Sequence, residues 1–155
     1  MAAYLFDSSA VAKRYMQEVG SAWIRTLTDP ATGHQCWLAE ITQVEILAAF
    51  YKKARTGNLT QAQAQQAEAA FRNELPTHFQ VIPLTSVLFP EAMRLVSTHP
   101  LRAYDAIQLA VALQLQAQRA HFGGLPALTF VSADQNLNQC AAVESLTVDD
   151  PNQHP

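Results

Sequence analysis

Four carboxylates carry the chemistry that this sequence can do. Asp7 ends the apolar run Ala3-Tyr4-Leu5-Phe6, and Asp134 follows Phe130-Val131-Ser132-Ala133. Asp105 opens an apolar stretch in Leu101-Arg102-Ala103-Tyr104-Asp105-Ala106-Ile107, and Glu45 lies within Ile41-Thr42-Gln43-Val44-Glu45-Ile46-Leu47-Ala48. Glu45 has Ile41, Thr42, Ala48 and Ala49 at its helical neighbour positions, so no basic side chain on its own helix offsets it. It is therefore either a solvated edge residue or an inward acid that needs a distant Arg, a Lys or a cation. Several carboxylates aimed at one crevice repel each other and take up protons unless a cation sits among them. Oxygen-only donors favour a hard ion, Mg2+ or Mn2+, over zinc. Such ions activate water and offset charge on phosphate oxygens, so the chemistry pointed to is metal-assisted phosphodiester hydrolysis. A plainer role stands beside it. Asp7, Asp105 and Asp134 each precede or open a helix, where a carboxylate caps free N–H groups or meets the positive end of the dipole. Asp105 can also pair with Arg102 on the same turn.

The elements that must position these acids follow from pattern and punctuation. Short apolar runs read as strands at residues 3–6, 35–38, 79–84, 128–132 and 145–148. Helical periodicity or composition predicts helices over 10–17, 22–28, 40–55, 60–75, 85–98, 104–118 and 135–142. The stretch 60–75 is rich in Ala and Gln, which suits a helix, with a low-complexity linker as the alternative. Pro90 marks either a kink or a fresh first turn within 85–98. Strands alternating with helices predict one three-layer α/β domain over residues 1–150 around a mostly parallel sheet, with 151–155 fraying. Asp7 and Asp134 then emerge at the C-terminal edge of the sheet, where the ligand crevice of such folds lies.

Composition narrows the class. The 155 residues are 49% hydrophobic, which excludes a disordered chain, and only 15% charged, which predicts apolar surface patches. Ten basic against thirteen acidic residues give a net charge of −3, so a generic basic nucleic-acid clamp is excluded. Cys36 and Cys140 form no C-x-x-C pair, and the five histidines form no H-x-x-x-H pair, so neither a disulfide framework nor a zinc site is expected. Asp7 arrives too early for a signal peptide and no apolar run has membrane length, so a soluble cytoplasmic protein is expected.

At these residues the sequence resembles a known family. Tyr4-Leu5-Phe6-Asp7-Ser8-Ser9-Ala10, Thr42-x-x-Glu45, Leu101-Arg102-Ala103-Tyr104-Asp105-Ala106 and Phe130-Val131-Ser132-Ala133-Asp134 are similar, in order, to the motifs of PIN domains. The nearest likeness is to the VapC-like toxin ribonucleases of toxin–antitoxin systems. The resemblance implies a five-stranded parallel sheet between helices and an acidic pocket at its C-terminal edge. It implies that Asp7, Glu45, Asp105 and Asp134 hold Mg2+ or Mn2+ and that Ser8 and Ser132 orient carboxylates or water. It also implies endonucleolytic cleavage of RNA to 5′-phosphate and 3′-hydroxyl ends, inhibition by a cognate VapB-like antitoxin, and a homodimer. The sequence departs from the family in carrying Gln108 where many relatives have His, and in its low basicity. Phosphate contacts are sought in Lys13 and Arg14, or in Lys52, Lys53 and Arg55, each of which could equally be a solvated helix face. The alternatives are a PIN-like nuclease of RNA maturation or DNA processing, and a non-catalytic RNA- or protein-binding module.

Overall fold

β-branched and aromatic side chains in short runs build five strands in the computed structural model, which describes residues 1–155. They are β1 (Ala3–Phe6), β2 (Gln35–Ala39), β3 (Gln80–Ile82), β4 (Leu128–Val131) and β5 (Thr147–Asp149). All pairs are parallel and the order is β3-β2-β1-β4-β5. Tyr4 sits opposite Cys36 on one side and Thr129 on the other, so β1 is the centre of the sheet. The chain winds outward from β1 to β3 and then returns to β4, which makes the β1–β4 boundary the topological switch point.

Seven α-helices cover the two faces: α1 (Ser8–Tyr15), α2 (Ser21–Leu27), α3 (Thr42–Arg55), α4 (Gln61–His78), α5 (Phe89–Thr98), α6 (Ala103–Phe122) and α7 (Gln135–Val143). Successive strand residues point to opposite faces, and the core divides accordingly. Leu5 and Phe130 pack with Leu95, Leu109 and Leu137 of α5, α6 and α7. Phe6, Leu38 and Val131 pack with Ile24, Phe50 and Phe71 of α2, α3 and α4. The expected three-layer α/β/α arrangement with a five-stranded parallel sheet is therefore present. No helix is long and apolar enough to cross a membrane, and both cysteines are free and buried.

Three local differences from the sequence reading have plain causes. The Ala/Gln-rich stretch is helix throughout: Thr60 and Gln63 form a reciprocal capping box, and Ala64, Ala67 and Phe71 are buried. It also passes through Pro76 to His78, because a proline so near the end forgoes only one helical hydrogen bond. The segment after β3 splits into a 3-10 turn, Ser86–Leu88, and α5, whose first turn contains Pro90. The last residues, expected to fray, instead fold into a 3-10 turn at Pro151–Gln153 with Pro151 buried. His154 stacks on Trp23 at 3.9 Å between ring centroids and bonds Asp149 at 2.8 Å. Gly20 admits this docking. Its φ is +83°, and a Cβ there would stand 2.2 Å from the Pro151 carbonyl oxygen.

Candidate active site

Asp7 leaves β1 at the switch point. Its N–H donates to the Val131 carbonyl at 3.1 Å, which carries the β1–β4 ladder one residue beyond the strand. The side chain then caps α1: Oδ1 accepts from the Ala10 N–H at 3.0 Å and from Ser9 Oγ at 2.7 Å. Oδ2 accepts from Ser132 Oγ at 3.0 Å. The capping role and the pocket role thus coincide in one residue. Asp7 is only 4% exposed and has no cationic partner. Burial pushes its pKa up to about 7 against the pull of those three hydrogen bonds, and the charge of Glu45 raises it further.

Glu45 stands in the first turn of α3. Gln108 of α6 reaches across from the facing helix, and its Nε2 donates to Glu45 Oε1 at 2.6 Å and to Thr42 Oγ1 at 2.7 Å. Burial raises the Glu45 pKa; the Gln108 bond opposes this, the charge of Asp105 adds to it, and the Ser8 hydroxyl opposes it. Asp105, in the first turn of α6, is raised by burial and by Asp134, and is lowered by Arg102. Asp134 caps α7 by accepting from the Leu137 N–H at 3.0 Å, with its own N–H on Ser132 Oγ at 3.0 Å. In the order Asp7, Glu45, Asp105, Asp134, each of the first three acids is made harder to ionise by the charge of the next.

Two residues of this network were not singled out as site residues from sequence. Ser9 donates to Asp7 and accepts from the Ala133 N–H at 2.9 Å, joining the β1 and β4 ends. The signal was its place two residues after a capping aspartate. Gln108, noted only as a departure from relatives, is 1% exposed and is the sole hydrogen-bond partner that α6 extends to Glu45. Its Oε1 is buried without a partner.

The basic residues lie elsewhere. Lys13 is 5% exposed and bonds Glu18 and the Val19 carbonyl. Arg14 pairs with Glu74 at 2.7 Å and also bonds Thr28. Lys53 pairs with Glu18. A phosphate contact by any of these three would compete with a pairing inside the fold. Lys52 and Arg55 are exposed but belong to the last turn of α3, about 10–15 Å along the helix axis from Glu45. A cavity of about 780 Å³ beside α1 and α4 is lined by Arg14, Tyr15 and Glu74 and includes none of the four acids.

No three His, Cys, Asp or Glu side chains are grouped closely enough to hold one metal ion. The donor set nevertheless suits Mg2+ or Mn2+. It consists of carboxylates only, none of them in a salt bridge, and such ions usually take one or two carboxylates and keep several waters. The proton affinity that burial and mutual repulsion give these acids is what a divalent cation relieves.

Comparison with known proteins agrees with the geometry. No curated relative matches in sequence. FitAcB from Neisseria gonorrhoeae superposes with a TM-score of 0.65 at 16% identity, covering 96% of this chain and 97% of that one. VapBC2 from Rickettsia felis, solved bound to a DNA fragment from its promoter, gives 0.63 at 10% identity over 96% and 98%. A toxin–antitoxin complex from Klebsiella pneumoniae gives 0.62 at 19% identity over 96% and 97%. The PIN domain family model matches residues 4–142, a span that takes in all four carboxylates and both serines of the pocket, and the chain therefore belongs to the PIN-domain family.

Proposed function

We propose that this chain is a Mg2+- or Mn2+-dependent endoribonuclease that hydrolyses RNA phosphodiester bonds and serves as the toxin of a VapBC-type toxin–antitoxin pair. One observation supports the reading: Asp7 and Glu45, from separate elements, are drawn out of solvent and held by hydroxyls and an amide instead of by cations, and Glu45, Asp105 and Asp134 each make the preceding acid harder to ionise. A structural cluster would be expected to include its counter-charges. PIN domains are generally nucleases, and similar solved structures are toxin–antitoxin assemblies, which supports a VapB-like antitoxin as partner. The apolar residues Phe89, Met93 and Val96 exposed on α5 are consistent with a homodimer.

Asp7, Glu45, Asp105 and Asp134 are the side chains that would hold the ion. When bound, it supplies water activation and charge neutralisation at the scissile phosphate. The chain's own residues do the rest. Ser9, Ser132 and the Ala10 N–H fix both oxygens of Asp7, while Gln108 fixes Glu45. The Glu45 carboxylate, with its raised proton affinity, takes the proton of the attacking water, and no side chain attacks phosphorus. The products then carry 5′-phosphate and 3′-hydroxyl ends. Cleavage of RNA by the purified chain with Mn2+ tests the reading. Activity is expected to vanish with EDTA and to fall at least 100-fold in Asp7→Asn, with an unchanged circular dichroism spectrum. Cleavage that persists in EDTA, or an Asp7→Asn protein as active as the parent, overturns it.

A further inference from the structure

A pocket of four acids repels the phosphates it has to receive, and the chain is net negative, so something at the pocket must hold the strand. Of the ten Lys and Arg residues, five are engaged by carboxylates: Lys13, Arg14, Lys53, Arg72 and Arg94. Arg25 bonds Gln17 and the Arg14 carbonyl, and Arg119 is buried on Pro126 and Gln35. Lys52, Arg55 and Arg102 remain, with no side-chain hydrogen bond or ion pair. The first two sit at the end of α3 remote from Glu45. Arg102 is the N-cap residue of α6 and is exposed, in the same first turn as Asp105.

The aromatic residues sort the same way. Trp23 is stacked on His154 and Trp37 packs against the core. The exposed rings are Phe89, Tyr104 and Phe122, at 45%, 58% and 76%. Phe122 ends α6 at the pole opposite the acids and Phe89 begins α5, whereas Tyr104 directly precedes Asp105. One free guanidinium and one free ring thus stand two residues apart at the N-terminal end of α6, beside Asp105. A guanidinium presents a fork that matches phosphate oxygens, and a ring accepts any unpaired base on its face.

We propose that Arg102 and Tyr104 form the gripping lip of the site, with Arg102 holding a phosphate next to the scissile one and Tyr104 stacking on an unpaired base of the RNA. This rests on the nuclease reading above. Base stacking on Tyr104 requires a base free of a duplex, so a paired strand loses that contact.

Binding of a fluorescent single-stranded oligoribonucleotide to the full chain in EDTA, across a salt series, tests the lip apart from catalysis. Arg102→Gln is expected to weaken binding about tenfold and to reduce the salt slope by about 0.7. Tyr104→Ala is expected to weaken it about five- to a hundredfold, while Tyr104→Phe retains it. Lys52→Gln and Arg55→Gln leave the affinity unchanged, and duplex RNA binds more weakly than the single strand. In cleavage assays with Mn2+, the loss in Arg102→Gln appears in KM more than in kcat. Unchanged affinity in both Arg102→Gln and Tyr104→Ala, or duplex RNA bound as tightly as the single strand, overturns the lip. A wild-type chain that cleaves no RNA with Mn2+ overturns the nuclease reading instead, and the two failures are separate measurements.

Discussion

Gln108 Nε2 lies 2.6 Å from Glu45 Oε1, so a buried neutral amide, not a cation, positions the carboxylate of α3. The same nitrogen bonds Thr42, which ties the first turn of α3 to the middle of α6. An arginine in this place would neutralise Glu45; the amide orients it and leaves its charge available.

Gln108→Leu removes that orientation. Because the unpartnered Oε1 goes as well, the stability loss stays near the low end for a buried hydrogen bond, about 1 kcal/mol in urea denaturation. Mn2+ affinity by calorimetry falls more, about tenfold, as expected when a ligand loses its support. Equal Mn2+ affinity in the two proteins would show that Gln108 does not position the acid.

Asp7 sets a pH dependence of stability in the metal-free protein. Its folded pKa is about 7 against an ordinary carboxyl value of 3.8, so between these values the native state binds more protons than the unfolded chain. Stability from this group therefore falls as pH rises from about 4 to 7 and levels off above. The full penalty is at most about 4 kcal/mol. In EDTA, Tm measured by calorimetry is expected to drop between pH 5 and 8, and Asp7→Asn flattens the decline and raises Tm at pH 8. An Asp7→Asn profile parallel to the parent's would disprove the assignment.

A divalent cation reverses that penalty. Mn2+ at about 100 times its dissociation constant stabilises the fold by about 2.7 kcal/mol. Asp7→Asn combined with Asp105→Asn is expected to remove most of the gain in Tm. A gain of equal size in the double variant places the ion elsewhere.

Gly20→Ala tests the docked C-terminus. The left-handed backbone and the 2.2 Å approach to Pro151 both oppose a Cβ, and relief requires the 3-10 turn to lift away. A loss of about 2 kcal/mol or more is expected in urea denaturation, with Trp23 fluorescence reporting the lost stacking on His154. A neutral substitution would mean that the tail contributes nothing to the fold.

Much of this protein is local and therefore legible. The runs 3–6 and 128–131 announce central parallel strands by their apolar side chains, and the capping grammar after Asp7 and Asp134 places both acids where strands end and helices begin. Apolar period put Glu45 and Asp105 on helices, and the absence of a basic neighbour on the Glu45 helix matched the absence of any ion pair in the structure. What the chain folds into, and which carboxylates to watch, depends on neighbours within a few residues.

The rest depends on which helix faces which. Gln108 meets Glu45 across 63 positions, Ser132 meets Asp7 across 125, and Arg14 is claimed by Glu74 across 60. No periodicity encodes such pairs, because they are set by the packing of α3 on α6 and of α1 on α4 once the sheet has formed. Tertiary packing alone decided that Lys13, Arg14 and Lys53 are paired within the fold, and that an amide and two hydroxyls hold Glu45 and Asp7 in place of cations.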